Sequence, residues 1–176
     1  MASPGNWTDK HLRSGNSGQA AVEFAMIASV MLLILFALID FGRVLNSLQL
    51  MVGLSRQGSN LASRGTSLPN SAAAVVVGDG PLDITHNGEV IVTSVTNTNN
   101  VNLITGQASQ GGISRSSKIG TGVGNTASVP PAAASMLQPG QTIYVTEVFY
   151  TYQPVTPIGN FMEITMPSTL YEAAYF

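Results

Sequence analysis

"FAMIASVMLLILFALIDFGRVLNSLQLMVGLSRQGSNLASRG", Phe24 to Gly65, changes character near its middle. From Phe24 to Ile39 sixteen residues pass without a charge. At about 1.5 Å per residue this run spans roughly 24 Å, and a wider reading from Gln19 to Phe41, admitting Glu23 and Asp40, spans roughly 34 Å. The two lengths bracket a hydrocarbon core of about 30 Å, so the segment is long enough for one membrane crossing. It is apolar on every face, whereas a helix lying on a protein surface keeps a polar stripe. A secretory signal would have a shorter apolar core and a small-x-small cleavage site, but Asp40-Phe41-Gly42-Arg43 follows here. The plain alternative is an uncleaved signal anchor.

The second half keeps the helical period but becomes amphipathic. Val44, Leu48, Met51 or Val52, and Leu61 recur at spacings near three, four and seven. Arg43, Asn46, Ser47, Gln49, Ser55, Arg56, Gln57 and Asn60 fill much of the remainder and are expected on the solvent side. Asp40 and Arg43 stand three apart, a spacing that lets them pair as a charged collar where the span leaves the lipid. Gly65 after Arg64, with Pro69 beyond, is a helix stop. Gly42, Gly53 and Gly58 either bend the helix, at about 1 kcal/mol each relative to Ala, or allow close contact; the sequence leaves both open.

Composition narrows the function. Only 9% of the 176 residues are charged, against about 25% in ordinary soluble domains, which suits an anchored or assembling protein. Net charge is −2 with no dense basic run, so nucleic acid is not an expected partner. Without cysteine there are no disulfides, thiolate metal sites or thiol nucleophiles. His11 and His86 are far apart in sequence. Lys10 and Arg13 before the span balance Arg43 and Arg56 after it, so charge alone does not orient the chain. A short polar leader is easier to leave in the cytoplasm than a domain of more than a hundred residues, which favours a cytoplasmic N-terminus.

The start of the helix poses the sharpest question. "SGQAAVEF", Ser17 to Phe24, sets Glu23 at the lip of an apolar span, where a carboxylate is costly unless wet or partnered. Gly18, then Gln19-Ala20-Ala21-Val22, then Glu23-Phe24, resembles the prepilin peptidase site of type IV pilins. The longer stretch from Gly18 to Gly65 resembles the TadE-like family, pilin-like proteins of tight-adherence pilus systems. The matching features are Ala21-Val22-Glu23-Phe24, Asp40-Phe41-Gly42-Arg43, Arg56-Gln57-Gly58 and Arg64-Gly65. "PGQTIYVTEVFYTYQPVTP", Pro139 to Pro157, and the closing "LYEAAYF" resemble that family's later strands.

The resemblance implies an α+β, pilin-like fold: a long N-terminal helix, transmembrane then amphipathic, packed on a small, mainly antiparallel β-sheet domain. It divides the chain into a leader over 1–18, the helix over 19–65, and an extracytoplasmic β-rich domain over 66–176 with a flexible loop at 120–140. Cleavage would fall between Gly18 and Gln19. Glu23 and Phe24 would then set assembly registry, the Glu23 carboxylate meeting the new ammonium of a neighbouring subunit. The implied protein is a minor pilin or pseudopilin of a Flp-type pilus, acting in assembly and adhesion. Its implied partners are the bacterial inner membrane, prepilin peptidase, other pilin-like subunits and the assembly platform. The other reading is an unprocessed single-span membrane protein whose outer domain is a protein-interaction module.

The distal residues carry their own signals. "EVIVTSVT" (Glu89 to Thr96) and "QTIYVTEVFYTYQP" (Gln141 to Pro154) are rich in β-branched and aromatic residues and read as strands. In the second, Ile143, Val145 and Phe149 alternate with Tyr144, Val148, Tyr150 and Tyr152, so both faces can pack. Weaker strands are expected at Asn100 to Gln107 and Ser116 to Ile119, and a last one over "TLYEAAYF"; Asn70 to Gly78 reads as a short helix. Gly120 to Gly140, rich in Gly, Pro and small residues, reads as an exposed excursion.

Chemical motifs are thin. Gly120, Gly122 and Gly124 lack the Lys-Ser/Thr of a phosphate loop. Asp79 and Asp83 miss the alternating oxygen ligands of a calcium loop. Asp83 and His86 are loop neighbours, and Trp7 and His11 fall in the expected leader. No catalysis, cofactor, metal or small-molecule substrate is expected.

Overall fold

The computed structural model describes residues 15–135, 137–157 and 168–176. The expected leader, apart from its last residues, lies outside the described residues.

Helix α1 runs from Gly15 to Ser63, roughly 74 Å at the usual rise. It stops through Gly65 at φ 92°, whose N–H reaches Ala62 O (3.1 Å) while Thr66 N–H reaches Leu61 O (3.1 Å). That double bond pattern needs a left-handed residue, which glycine adopts without a Cβ penalty. Helix α2, Leu68–Val77, follows directly, and Pro69 sits in its first turn, where its missing N–H costs nothing. A one-turn helix, α3 (Ile84–Asn87), leads into strand β1 (Gly88–Thr98). Strand β2 (Val101–Gly111) returns through Asn99 and Asn100, both at positive φ, as a tight two-residue hairpin turn requires. A second one-turn helix, α4 (Pro131–Ala134), precedes β3 (Thr142–Thr151) and β4 (Thr169–Tyr175).

All three strand pairings are antiparallel, and the order is β2-β1-β3-β4. The central strands β1 and β3 are buried on both faces, which explains their near-continuous β-branched and aromatic run. On one face Val90, Val92, Val148, Tyr150 and Leu170 pack against Val44, Met51, Leu54 and Ala62 of α1 and Val75 of α2. On the other, Val95, Ile104, Ile143 and Val145 pack under Ile119, Ala127, Ala133 and Leu137. The 120–140 segment is exposed over most of its length, as expected, but Ala127, Ala133 and Leu137 turn inward and cover the sheet's second face. It also takes part of the β2 edge: Ile104 N–H donates to Asn125 O (2.9 Å) and Gly124 N–H to Ile104 O (2.8 Å).

The expected strand at Ser116 to Ile119 is irregular chain. Its polar groups go to a buried side chain instead of a ladder. Glu147, fully buried in β3, accepts the Ser117 hydroxyl, Lys118 N–H (2.8 Å) and the Tyr171 hydroxyl (3.0 Å). Burial, and then the adjacent Glu147, push the Tyr171 hydroxyl well above its usual range, so it remains a donor. Lys118 Nζ caps the Tyr171 ring at 3.5 Å. Glu89 plays the same part nearby by accepting Arg115 N–H.

A second correction concerns α1. Ser47 and Ser55, expected toward solvent, are buried on the packing face with Ser59. Small side chains let the helix approach the sheet, and the hydroxyls find carbonyls: Ser55 donates to Val52 O (3.1 Å) and Ser59 to Ala174 O (2.9 Å). Gly58 belongs to this layer, while Gly42 and Gly53 face open space.

Candidate functional site

The two halves of α1 differ in what covers them. From Gly18 to Leu35 every residue is exposed, including Phe24 at 73% and Leu35 at 52%. A free apolar rod of this kind is unstable in water and natural in lipid or in a bundle of like helices. Its described start is polar. Gln19 Nε2 donates to Glu23 Oε1 at 3.0 Å, one turn apart, and both side chains are exposed. Phe24 follows on an uncovered surface, and Gly18 has nothing within 4 Å of where a Cβ would stand. The Gly18–Gln19 peptide bond therefore lies inside the helix, three residues after its start at Gly15. Gly15 and Gly18 each weaken a helix by about 1 kcal/mol relative to Ala, so this first turn opens at low cost.

The other end of the rod is fixed. Asp40 is fully buried, although it comes immediately after the apolar run. The sheet-to-β4 connection reaches it: Val155 N–H donates to Oδ1 (3.2 Å), the Thr156 hydroxyl to Oδ2, and the Tyr152 hydroxyl to the Asp40 carbonyl (3.3 Å). Burial, and then the Asp40 charge, raise the proton affinity of the Tyr152 hydroxyl, which keeps it a donor. The expected Asp40–Arg43 ion pair is not formed among the described residues. Asp40 turns inward to satisfy backbone and hydroxyl donors, and Arg43 stays exposed beside Tyr152. Asp40 is thus a latch between α1 and the chain leaving β3.

Asp40→Ala would leave Val155 N–H and the Thr156 hydroxyl without their acceptor, at about 2–3 kcal/mol. Amide exchange at Val155 should accelerate on the order of tenfold or more, while Leu54 in the packed half of α1 keeps its protection. Unchanged exchange at Val155 would remove the latch.

The 18–41 rod, its Glu23-Phe24 start and its latched Asp40 end form one continuous feature. Residues 18–59 match the TadE-like protein family. The TadE-like segment ends at Ser59, inside α1, so the match covers the rod and most of the packed half while the sheet domain lies beyond it. No curated protein and no solved structure gives a match to the chain. The TadE-like match supports a pilus-associated, pilin-like role, and the apolar helix fits a single-pass membrane protein.

Elsewhere the structure answers the motif questions with turns. Gly120, Gly122 and Gly124 all take positive φ and shape the strap beside β2. Asp79 Oδ2 accepts Ile84 N–H (2.9 Å), closing the loop before α3. His86 Nδ1 meets Asp83 Oδ1 at 2.8 Å on an exposed surface, where the Thr85 and His86 hydrogen bonds hold the Asp83 carboxyl below its usual range. The Thr85 hydroxyl approaches the same ring nitrogen (3.2 Å), so it cannot serve as a nucleophile relayed through the opposite one. Among the described residues no three His, Asp or Glu cluster as a metal site.

Sequence reasoning missed Tyr152, Val155 and Thr156 as partners of Asp40. The available signal was a carboxylate ending an apolar run, which demands donors from somewhere. It missed Glu147 and Glu89 for a related reason: each is the lone acid of a strand rich in apolar and β-branched residues.

Proposed function

We propose that the chain is a minor pilin or pseudopilin of a tight-adherence, Flp-type pilus. Prepilin peptidase cuts it between Gly18 and Gln19, and it then works without catalysis in pilus assembly and adhesion. The observation that carries this reading is the uncovered rod from Gly18 to Leu35, opening with Glu23 and Phe24 inside the TadE-like segment. Cleavage creates an ammonium on Gln19. Within a bundle of apolar helices Glu23 of one subunit neutralises that charge on another. An unpaired charge there is strongly penalised, so the pair fixes axial registry more than it adds stability. The leader stays in the cytoplasm, α1 crosses the inner membrane, and the sheet domain lies outside. Other pilin-like helices and the assembly platform are its partners.

One observation favours the unprocessed alternative, a single-span protein with an interaction domain outside: Glu23 already has a local partner in Gln19. Intact-mass measurement on protein from native membranes separates the two. The processed reading requires a chain beginning at Gln19, and retention of Trp7 contradicts it. Glu23→Ala should leave membrane insertion unchanged and reduce incorporation or recruitment on the order of tenfold or more; assembly at the wild-type level would overturn the registry role.

A further inference from the structure

Beside the Asp40 latch lies a cavity of about 120 Å³, bounded by α1, the Pro81–Leu82 turn and the end of β3. Arg43, Asn46, Tyr150, Tyr152 and Gln153 make up much of its polar wall, and no carboxylate lines it. Arg43 has no ion-pair partner among the described residues. Tyr150 is only 9% exposed and forms part of the cavity wall. A phenol and a guanidinium sharing a cavity wall that carries no carboxylate are a donor set suited to an oxyanion. The space suits one tetrahedral oxyanion.

Depth identifies the source. Arg43 stands four residues beyond Ile39, about 6 Å further along the axis. The headgroup layer outside the hydrocarbon is roughly 5–7 Å thick on each side. A bilayer that takes the apolar run therefore brings its phosphates to the level of this cavity. Tyrosine and arginine are the side chains suited to that layer, with an apolar body inward and a polar end at the headgroups.

The surrounding charges narrow the headgroup. Asp79 and Asp83 act on Tyr150 through space, opposing Arg43. Asp40 lies behind Tyr152. A ligand with net negative charge meets these acids, whereas one carrying an amine beside its phosphate suits both signs.

We propose that this cavity binds the phosphodiester of a zwitterionic aminophospholipid, with Arg43 pairing to the phosphate and Tyr150 donating its hydroxyl. The proposal rests on α1 entering a bilayer, but on neither cleavage nor pilus assembly.

The test uses the full chain, first shown by vesicle flotation to insert, then examined by native mass spectrometry from micelles doped with phosphatidylethanolamine or phosphatidylglycerol. The wild type should retain one phosphatidylethanolamine in preference to phosphatidylglycerol. Tyr150→Phe, which keeps the ring packing, and Arg43→Gln should each cut retention on the order of tenfold with flotation unchanged. Equal retention by wild type and both variants overturns the site, and preference for phosphatidylglycerol overturns the headgroup assignment. Displacement of the lipid by millimolar inorganic phosphate assigns the cavity to the free ion and overturns the lipid proposal. Failure of flotation in the wild type would instead strike the membrane reading itself.

Discussion

Glu147→Ala is expected to lower the stability of the sheet domain by about 3–5 kcal/mol, a large share of the 5–15 kcal/mol typical of a domain. Glu147 is fully buried, and its carboxyl collects donors from two directions: Ser117 and Lys118 from the cover, and Tyr171 from β4. Removing the acceptor leaves those part-buried donors without their partner, and an unsatisfied buried group costs roughly 1–3 kcal/mol. The change also releases the cover from the sheet face bearing Val95, Ile143 and Val145. Thermal unfolding of the full chain in micelles should show a midpoint lower by about 10 °C or more. Glu147→Gln, which retains one carbonyl acceptor, should lose less than half as much. A Glu147→Ala protein within about 1 kcal/mol of the wild type would mean that the cover is held by its apolar contacts alone.

Gly58→Leu should separate α1 from the sheet. A Cβ built on Gly58 already stands 2.7 Å from Thr146 Cγ2 and 2.9 Å from Val75 Cγ2. No rotamer of a larger side chain fits there without displacing β3 or α2, and overpacking of this kind costs about 3 kcal/mol. Gly53 supplies the control. Nothing lies within 4 Å of its built Cβ, so Gly53→Ala should gain about 0.5–1 kcal/mol of helix propensity. At Gly58 the same Ala substitution should be destabilising, because contact outweighs propensity. Chemical denaturation of the pair decides the matter: if both alanines stabilise, the close approach of helix and sheet is not limiting.

The parts of the fold that were legible in the sequence are those where one side-chain pattern has one physical solution. An uncharged run followed by a 3.6-residue period gave α1, and Gly65 marked its end because a left-handed cap was needed there. Alternating β-branched and aromatic residues located β1, β3 and β4, and the doubly apolar β3 showed that both sheet faces had to be covered. What covers them was not legible. The Gly120–Gly140 segment reads as solvent-facing since Ala127, Ala133 and Leu137 are scattered among turn residues, with no period to show that they share a face. Ser47 and Ser55 read as polar, but on a helix pressed against a sheet their size matters more than their hydroxyls.

The start of the candidate site was legible as a motif, and its far end was not. Glu23 and Phe24 are exposed on the helix surface. Asp40 was paired on paper with the nearest cation on its own helix. Its actual partners come from 112 to 116 residues away, and periodicity within one element carries no information at that range.

The topology also sets an order of events during synthesis. The face of α1 bearing Val44, Met51 and Leu54 is made early, but much of its partner surface, Val148, Tyr150 and Leu170, comes from the last strands. A chain emerging from the ribosome N-terminus first holds that stripe incompletely covered until β3 and β4 arrive. Until then only part of its cover, Val75 of α2 and Val90 and Val92 of β1, is in place. The packed half of α1 is therefore complete only when the final residues are through.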